Sequence, residues 1–229
     1  MSILYHHPLS AGSRYVRLVL AEYGETVELV ERHPLDRDDE FLALNPAGTV
    51  PVLVDDTDGP IIGPAVIAEY LFETRGHRLG EATLMPATPK ERAEVRRLVS
   101  WFLEKFDQEV TAYLITEKVF KRTAPRGNGG APDAAAIRAA RANIRYHLRY
   151  IGYLVARRNC LAGRSMSFAD LAAAAHLSST DYLGEVPWEE DTMAKQWYAR
   201  VKSRPSFRQL LADQIRGNPP ATHYADLDF

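Results

Sequence analysis

Apolar positions fall into two regimes along this chain: short runs over the first third, then long helical stripes. Ile3 to His6 is an apolar run stopped by Pro8, which predicts a strand. A helix opens at Ser13, placed as its N-cap; Val16, Val19 and Leu20 share one face and Gly24 ends it. Val27 to Val30 predicts a second strand, and Asp36 begins a short acidic-capped helix through Phe41 and Leu44. The turn cluster Asn45 to Thr49 leads into Val50 to Val54, and Asp55 to Gly59 turns back into Ile61 and Ile62. Pro64 suits the first position of a helix continuing from Ala65 to Thr74. Parallel pairing of the first two strands requires a crossover, which the first helix supplies. The last two strands, joined by a tight turn, are expected to be antiparallel. A small mixed α/β sheet with helices on both faces follows.

Gly76, Gly80, Pro86 and Pro89 then punctuate a linker, and the period changes. Val95, Leu98, Phe102, Phe106, Val110 and Tyr113 mark a long helix from Arg92 to Arg122. Ala124 to Ala131, rich in Gly and Pro, is expected to be a mobile loop. Ala134 to Arg158 predicts a second long helix, apolar at Ile137, Ala140, Ile144, Leu148, Ile151 and Val155. Ser167 and Asp170 form a capping box ahead of an alanine-rich helix to Tyr182, apolar nearly all round and so expected at the domain centre. Further helices cover Thr192 to Ser203 and Ser206 to Asp213. The expected organisation is an α/β domain over 1–76, a linker over 77–89, an all-helical domain over 90–216 and an extended tail over 217–229.

Composition adds exclusions. The 229 residues are 46% hydrophobic and 25% charged, an ordinary globular balance, and the net charge of −2 gives no global field for nucleic acid or an anionic membrane. The single cysteine, Cys160, allows no internal disulfide, which fits a reducing, cytoplasmic compartment. The start has neither a basic region nor a long apolar run, so no signal peptide is expected, and no apolar run approaches the ~18 residues of a membrane span. His6 and His7 are adjacent on a strand, point to opposite faces and have no third ligand spaced with them, so no metal site is expected. No phosphate-binding loop occurs.

Three segments carry a family resemblance. Phe41-Leu42-Ala43-Leu44-Asn45-Pro46-Ala47-Gly48-Thr49-Val50-Pro51-Val52-Leu53, then Ser167-Phe168-Ala169-Asp170-Leu171, then Arg204-Pro205-Ser206-Phe207 resemble, in this order, the signature segments of the glutathione transferase superfamily. The resemblance covers nearly the whole chain. It implies a thioredoxin-like N-terminal domain followed by a helical-bundle domain, with Pro51 cis. In an enzyme of this kind Val50 and Pro51 would hold the backbone of glutathione, and Ser10 or its rival Tyr5 would stabilise the thiolate. Ser10 and Ser13 are equally readable as turn and cap residues.

One position departs from that pattern. Enzymes of the superfamily usually carry an acidic residue and a serine just before the helix that follows the sheet, and the serine grips the γ-glutamyl carboxylate. Here the pair is Gly63-Pro64. Proline has no N–H to donate and neither side chain is polar. At least two charge-assisted hydrogen bonds, each about 1.5–3 kcal/mol, are missing, on the order of a hundredfold in affinity. No catalytic residue and no cofactor are therefore expected, glutathione entering only under the transferase alternative with Ser10.

Two features suggest a macromolecular partner. Arg138, Arg141, Arg145 and Arg149 form one stripe on the second long helix, about 100° from its apolar face. It reads either as a solvated face or as a docking stripe for an acidic partner. Asp226, Leu227, Asp228 and Phe229 end the chain after a Pro-Pro break, either as a docking element or as a strap on the helical domain. Gly63-Pro64, the Arg- and Tyr-rich helix and the ending His223-Tyr224-Ala225-Asp226-Leu227-Asp228-Phe229 together resemble an alphaproteobacterial branch of the superfamily, the FzlA-type cell-division proteins. That resemblance implies a homodimer that binds the tubulin-like protein FtsZ and regulates division filaments without glutathione chemistry, in the cytoplasm and recruited to the division site.

Overall fold

The computed structural model describes residues 1–36, 38–124 and 129–227. Its first unit is a four-stranded sheet in the order β2-β1-β3-β4, with β1 at Ile3–His6, β2 at Glu28–Glu31, β3 at Val52–Asp55 and β4 at Gly59–Ile62. β1 pairs parallel with β2 and antiparallel with β3, Leu4 lying opposite both Leu29 and Leu53; β3 and β4 form the hairpin. Helices α1 (Ala11–Glu22), α2 (Asp39–Leu44) and α3 (Pro64–Arg75) complete the thioredoxin-like βαβαββα order.

Two caps differ from expectation. Ser10, not Ser13, caps α1: its hydroxyl accepts from Ser13 N–H at 3.3 Å, while the buried Ser13 hydroxyl accepts from His7 N–H at 3.3 Å. Asp38, not Asp36, caps α2, accepting from Glu40 N–H at 3.0 Å; Asp36 N–H is already bonded to the His33 carbonyl in a preceding turn. The expected linker is not featureless either, since Gly76–Ala82 winds into 3-10 turns broken at Gly80 (φ 52°).

The helical unit begins with α4, residues 89–123. It starts earlier than expected, at Pro89, because Thr88 accepts from Glu91 N–H at 3.3 Å and donates to the Glu91 carboxylate at 2.6 Å. From Trp101–Thr111 and again from Thr116–Phe120 the helix widens to π winding. Residues 125–128 of the expected loop lie outside the described residues. Then follow α5 (Ala134–Arg158, capped by Asp133), α6 (Phe168–Tyr182), α7 (Thr192–Lys202) and the short α8 (Arg208–Leu211). Every residue of α6 is buried, and its capping box is present as read from the sequence. Asp170, fully buried, accepts from Ser167 N–H, Leu161 N–H and the Trp197 indole, each within 3.0 Å.

The two units and the tail meet on one side chain. Arg14, on α1, is completely buried. Its Nε donates to the Pro8 carbonyl at 2.6 Å, Nη1 to Ser178 of α6 at 3.0 Å and to the Tyr224 hydroxyl at 2.7 Å, and Nη2 to Asp213 at 3.3 Å. Arg17, one turn on, grips both oxygens of Asp213 at 2.8 and 2.9 Å. Burial opposes the charge on Arg14, but Tyr224 and Asp213 more than offset it and raise its pKa. The expected extended tail is corrected here. Residues 222–225 form turns, Ala221 N–H donates to the Tyr182 carbonyl at 2.8 Å, and Tyr224 is fully buried against Tyr182. The Lys202 ammonium donates to the Asp226 carbonyl at 2.7 Å, so the chain is strapped down as far as that residue.

Tyr224→Ala removes a buried ring and strands a buried guanidinium. It should cost about 4 kcal/mol in urea unfolding, in the range of large aromatic truncations; a loss under about 1 kcal/mol would show the strap to be dispensable.

Candidate ligand cleft and partner surfaces

A cleft of about 320 Å³ lies between the sheet domain and α4. One wall is Leu9 to Gly12 at the start of α1, with Pro34, Ala47 to Val50 and Pro64; the other is α4, from Leu103 to Phe120, with His176 of α6 behind it. Among the expected residues, Ser10 and Val50 line this cleft, and the Val50–Pro51 peptide bond is cis. Tyr5 does not line it: its ring packs 5.5 Å from Phe41 of α2, with the Arg32 guanidinium 5.4 Å over it. Of the two rival donors, only Ser10 is placed to face a ligand.

Gly63 and Pro64, the pair at which the resemblance leads one to expect a carboxylate grip, join β4 to α3. Gly63 adopts φ 92°, a conformation open to glycine, and Pro64 opens α3 as its first residue. The Pro64 ring lies against α1: a Cβ on Gly12 would come within 3.2 Å of Pro64 Cγ and 3.4 Å of Pro51 Cδ. A hydrocarbon ring therefore occupies the floor beside the α1 N-terminus. Among the described residues lining the cleft there is no Lys or Arg. Glutathione carries two carboxylates, and these walls offer neither a counter-charge.

The sequence reading missed the polar groups on the far wall: Asp107 and Thr111 of α4 and His176 of α6. The Thr111 hydroxyl and His176 Nδ1 are 3.0 Å apart. The signal was present in the spacing. Leu98, Phe102, Phe106, Val110 and Leu114 are buried at uniform steps of four, and Leu103, Asp107 and Thr111 follow the same step one position on. An α-helix of 3.6 residues per turn swings such a row around by about 40° at each step; the π-wound stretch, with more than four residues per turn, swings it back the other way, and the alternation of the two holds the row near one face.

The Arg stripe is exposed but engaged. Arg141 makes a bidentate pair with the buried Glu185 at 2.6 and 2.7 Å, and Lys118 also donates to Glu185. Arg145 and Arg149 share Glu190 at 2.6 and 2.9 Å. Arg138 makes no ion pair among the described residues. Tyr146 and Tyr153 are half exposed on the same helix, Arg157 lying 3.8 Å over the Tyr153 ring. In the tail Leu227 is 42% exposed, while Asp228 and Phe229 lie outside the described residues.

The remaining candidates are quiet. Burial pushes the Cys160 thiol up to about 11 and pulls His6 and His7 down to about 4 and 3. No helix among the described residues is long and apolar enough to cross a membrane.

The model of the glutathione S-transferase N-terminal domain matches residues 4–79. FtsZ-localized protein A of Caulobacter vibrioides is 47% identical over 99% of this chain and 97% of its own length; glutathione S-transferase F10 of Arabidopsis thaliana is 29% identical over 93% and 97%. Two solved structures superpose closely. A glutathione S-transferase from Sinorhizobium meliloti 1021 gives a TM-score of 0.97 at 50% identity, with both chains covered in full; FzlA from C. crescentus gives 0.92 at 46%, covering 100% of this chain and 99% of that one. Fold, order of elements and similarity agree: this chain belongs to the glutathione transferase superfamily and is a homologue of FtsZ-localized protein A.

Proposed function

We propose that this chain is a non-catalytic adaptor that binds FtsZ and regulates division filaments from the cytoplasm. One observation carries the reading. The cleft that should grip glutathione has a proline in place of the carboxylate anchor and no cationic side chain among its described walls, while the whole chain aligns with FtsZ-localized protein A. The competing reading, a transferase, rests on Ser10 at the α1 N-terminus, where a hydroxyl and helix amides favour a thiolate.

Glutathione decides between them. A ligand at about a hundred times its Kd stabilises by about 2.7 kcal/mol. Millimolar glutathione should leave the melting temperature unchanged, and a rise of several degrees would restore the transferase reading.

The adaptor acts as a two-fold homodimer. Supporting this is a groove of about 460 Å³ between α3 and α4, with apolar walls that include Val66, Ala68, Met85, Val99 and Leu103 and with Glu69, Arg96 and Glu104 also lining it; Val66 is 59% exposed. Light scattering at tens of micromolar should give twice the protomer mass of 25.7 kDa; a monomer mass would refute it.

Docking is assigned to the chain end beyond the strap, Leu227 with Asp228 and Phe229, and to the stripe of Arg138, Arg145 and Arg149. Asp226 belongs to the strap through its backbone, and Arg141 stabilises Glu185 as well as contributing charge. Deleting residues 227–229 should abolish co-sedimentation with FtsZ filaments while leaving the melting temperature within a degree or so, since the strap contacts of Tyr224 and Asp226 are retained. Arg145→Glu should weaken binding in a salt-dependent way. Full-strength binding by the shortened chain would remove the tail from the interface.

A further inference from the structure

The α4 wall of the cleft carries a carboxylate that nothing in the protein uses. Asp107 lines the cleft between Leu103 and Thr111, its side chain 40% exposed. Among the described residues its carboxylate accepts no hydrogen bond. The nearest titratable group is His176 of α6, whose Nδ1 lies 3.8 Å from Oδ1, beyond bonding distance, and is engaged with Thr111 instead. His176 is neutral: burial, and then the neighbouring His147, pull its pKa down to about 3. No described cleft residue from α1, from the 47–50 turn or from Pro34 bears a charge. On its own helix, Lys105 is taken by Glu109.

Around this carboxylate the walls are Leu9, Leu103, Ala112, Ile115 and Phe120. A partly dehydrated anion without a partner is unfavourable, and a cation brought to it gains a charge-assisted bond while its hydrocarbon body leaves water. The volume, about 320 Å³, falls in the range of small-molecule sites. We infer that the cleft binds a small amphipathic amine, its ammonium group on Asp107 and its apolar body along Leu103, Ile115 and Phe120. The site is separate from the tail and the Arg stripe, so it stands or falls independently of FtsZ binding.

Burial pushes the Asp107 carboxyl up to about 6. The carboxylate is charged above that value and protonated below it. Amine binding is therefore full at neutral pH and lost as the pH falls through about 6.

Calorimetric titration of the full chain with phenethylamine, phenethyl alcohol and phenylacetate tests this, because the three share a ring and differ in charge. At about pH 7.5 the amine should bind about tenfold tighter than the alcohol, the advantage expected of one charge-assisted hydrogen bond, and phenylacetate more weakly than both. At about pH 5 the advantage of the amine should vanish. Asp107→Asn, nearly the same shape, should erase it at both pH values while alcohol binding and melting temperature hold. An amine that binds no tighter than the alcohol to the unaltered protein overturns the inference, as does an advantage that survives in Asp107→Asn.

Discussion

Arg14 is a guanidinium with no access to water, and the arrangement of the molecule follows from satisfying it. A buried cation is tolerated only where hydrogen bonds and a counter-charge replace its hydration. Its partners come from four places in the chain: the Pro8 turn, Ser178 at the centre of α6, Asp213 after α8, and Tyr224 in the tail. Arg17 doubles the grip on Asp213. The sheet domain is thus fixed on the helical domain by polar contacts at their centre, with the apolar core around them. Another buried carboxyl group on α6, Asp181, is held by Trp188, His223 and Lys202.

That rigid frame sets the cleft. The α1 N-terminus stands opposite α4 because Arg14 pins α1 to Ser178 of α6, Arg17 pins it to Asp213 after α8, and α6 packs on the π-wound part of α4. The chemistry the walls present is the reverse of what a tripeptide thiol with two carboxylates calls for: a proline ring on one side, a carboxylate on the other.

Much of this was legible beforehand. The strand and helix order, the antiparallel hairpin, the Ser167–Asp170 capping box and the bounds of α5 all follow from local patterns that tertiary packing did not override. The misread features share a cause. Ser10 and Ser13 are both good caps, and only the buried demand of His7 N–H for an acceptor separates them. Asp107 was not singled out, because it lies off the apolar stripe of Leu98, Phe102, Phe106 and Val110 and only the fold turns that flank toward the cleft. The tail after Pro219 and Pro220 stayed open between a docking element and a strap, because the burial of Tyr224 involves an arginine 210 positions earlier, which no local rule connects. The Arg stripe was found by spacing, but its ties to Glu185 and Glu190 depend on how α5 lies beside the 185–190 segment.

The Arg14–Tyr224 bond also orders events during synthesis. Ribosomes extend chains at about 5–20 residues per second, so the 210 residues between these partners take roughly 10–40 s to appear. Over that interval the partners of Arg14 accumulate in order: the Pro8 carbonyl is present from the start, Ser178 and then Asp213 follow, and Tyr224 comes last. A guanidinium buried before its partners are complete would be short of acceptors, which favours keeping that face of α1 hydrated until they arrive. The set is complete only when Tyr224 arrives, and a premature stop anywhere before it leaves Arg14 one partner short.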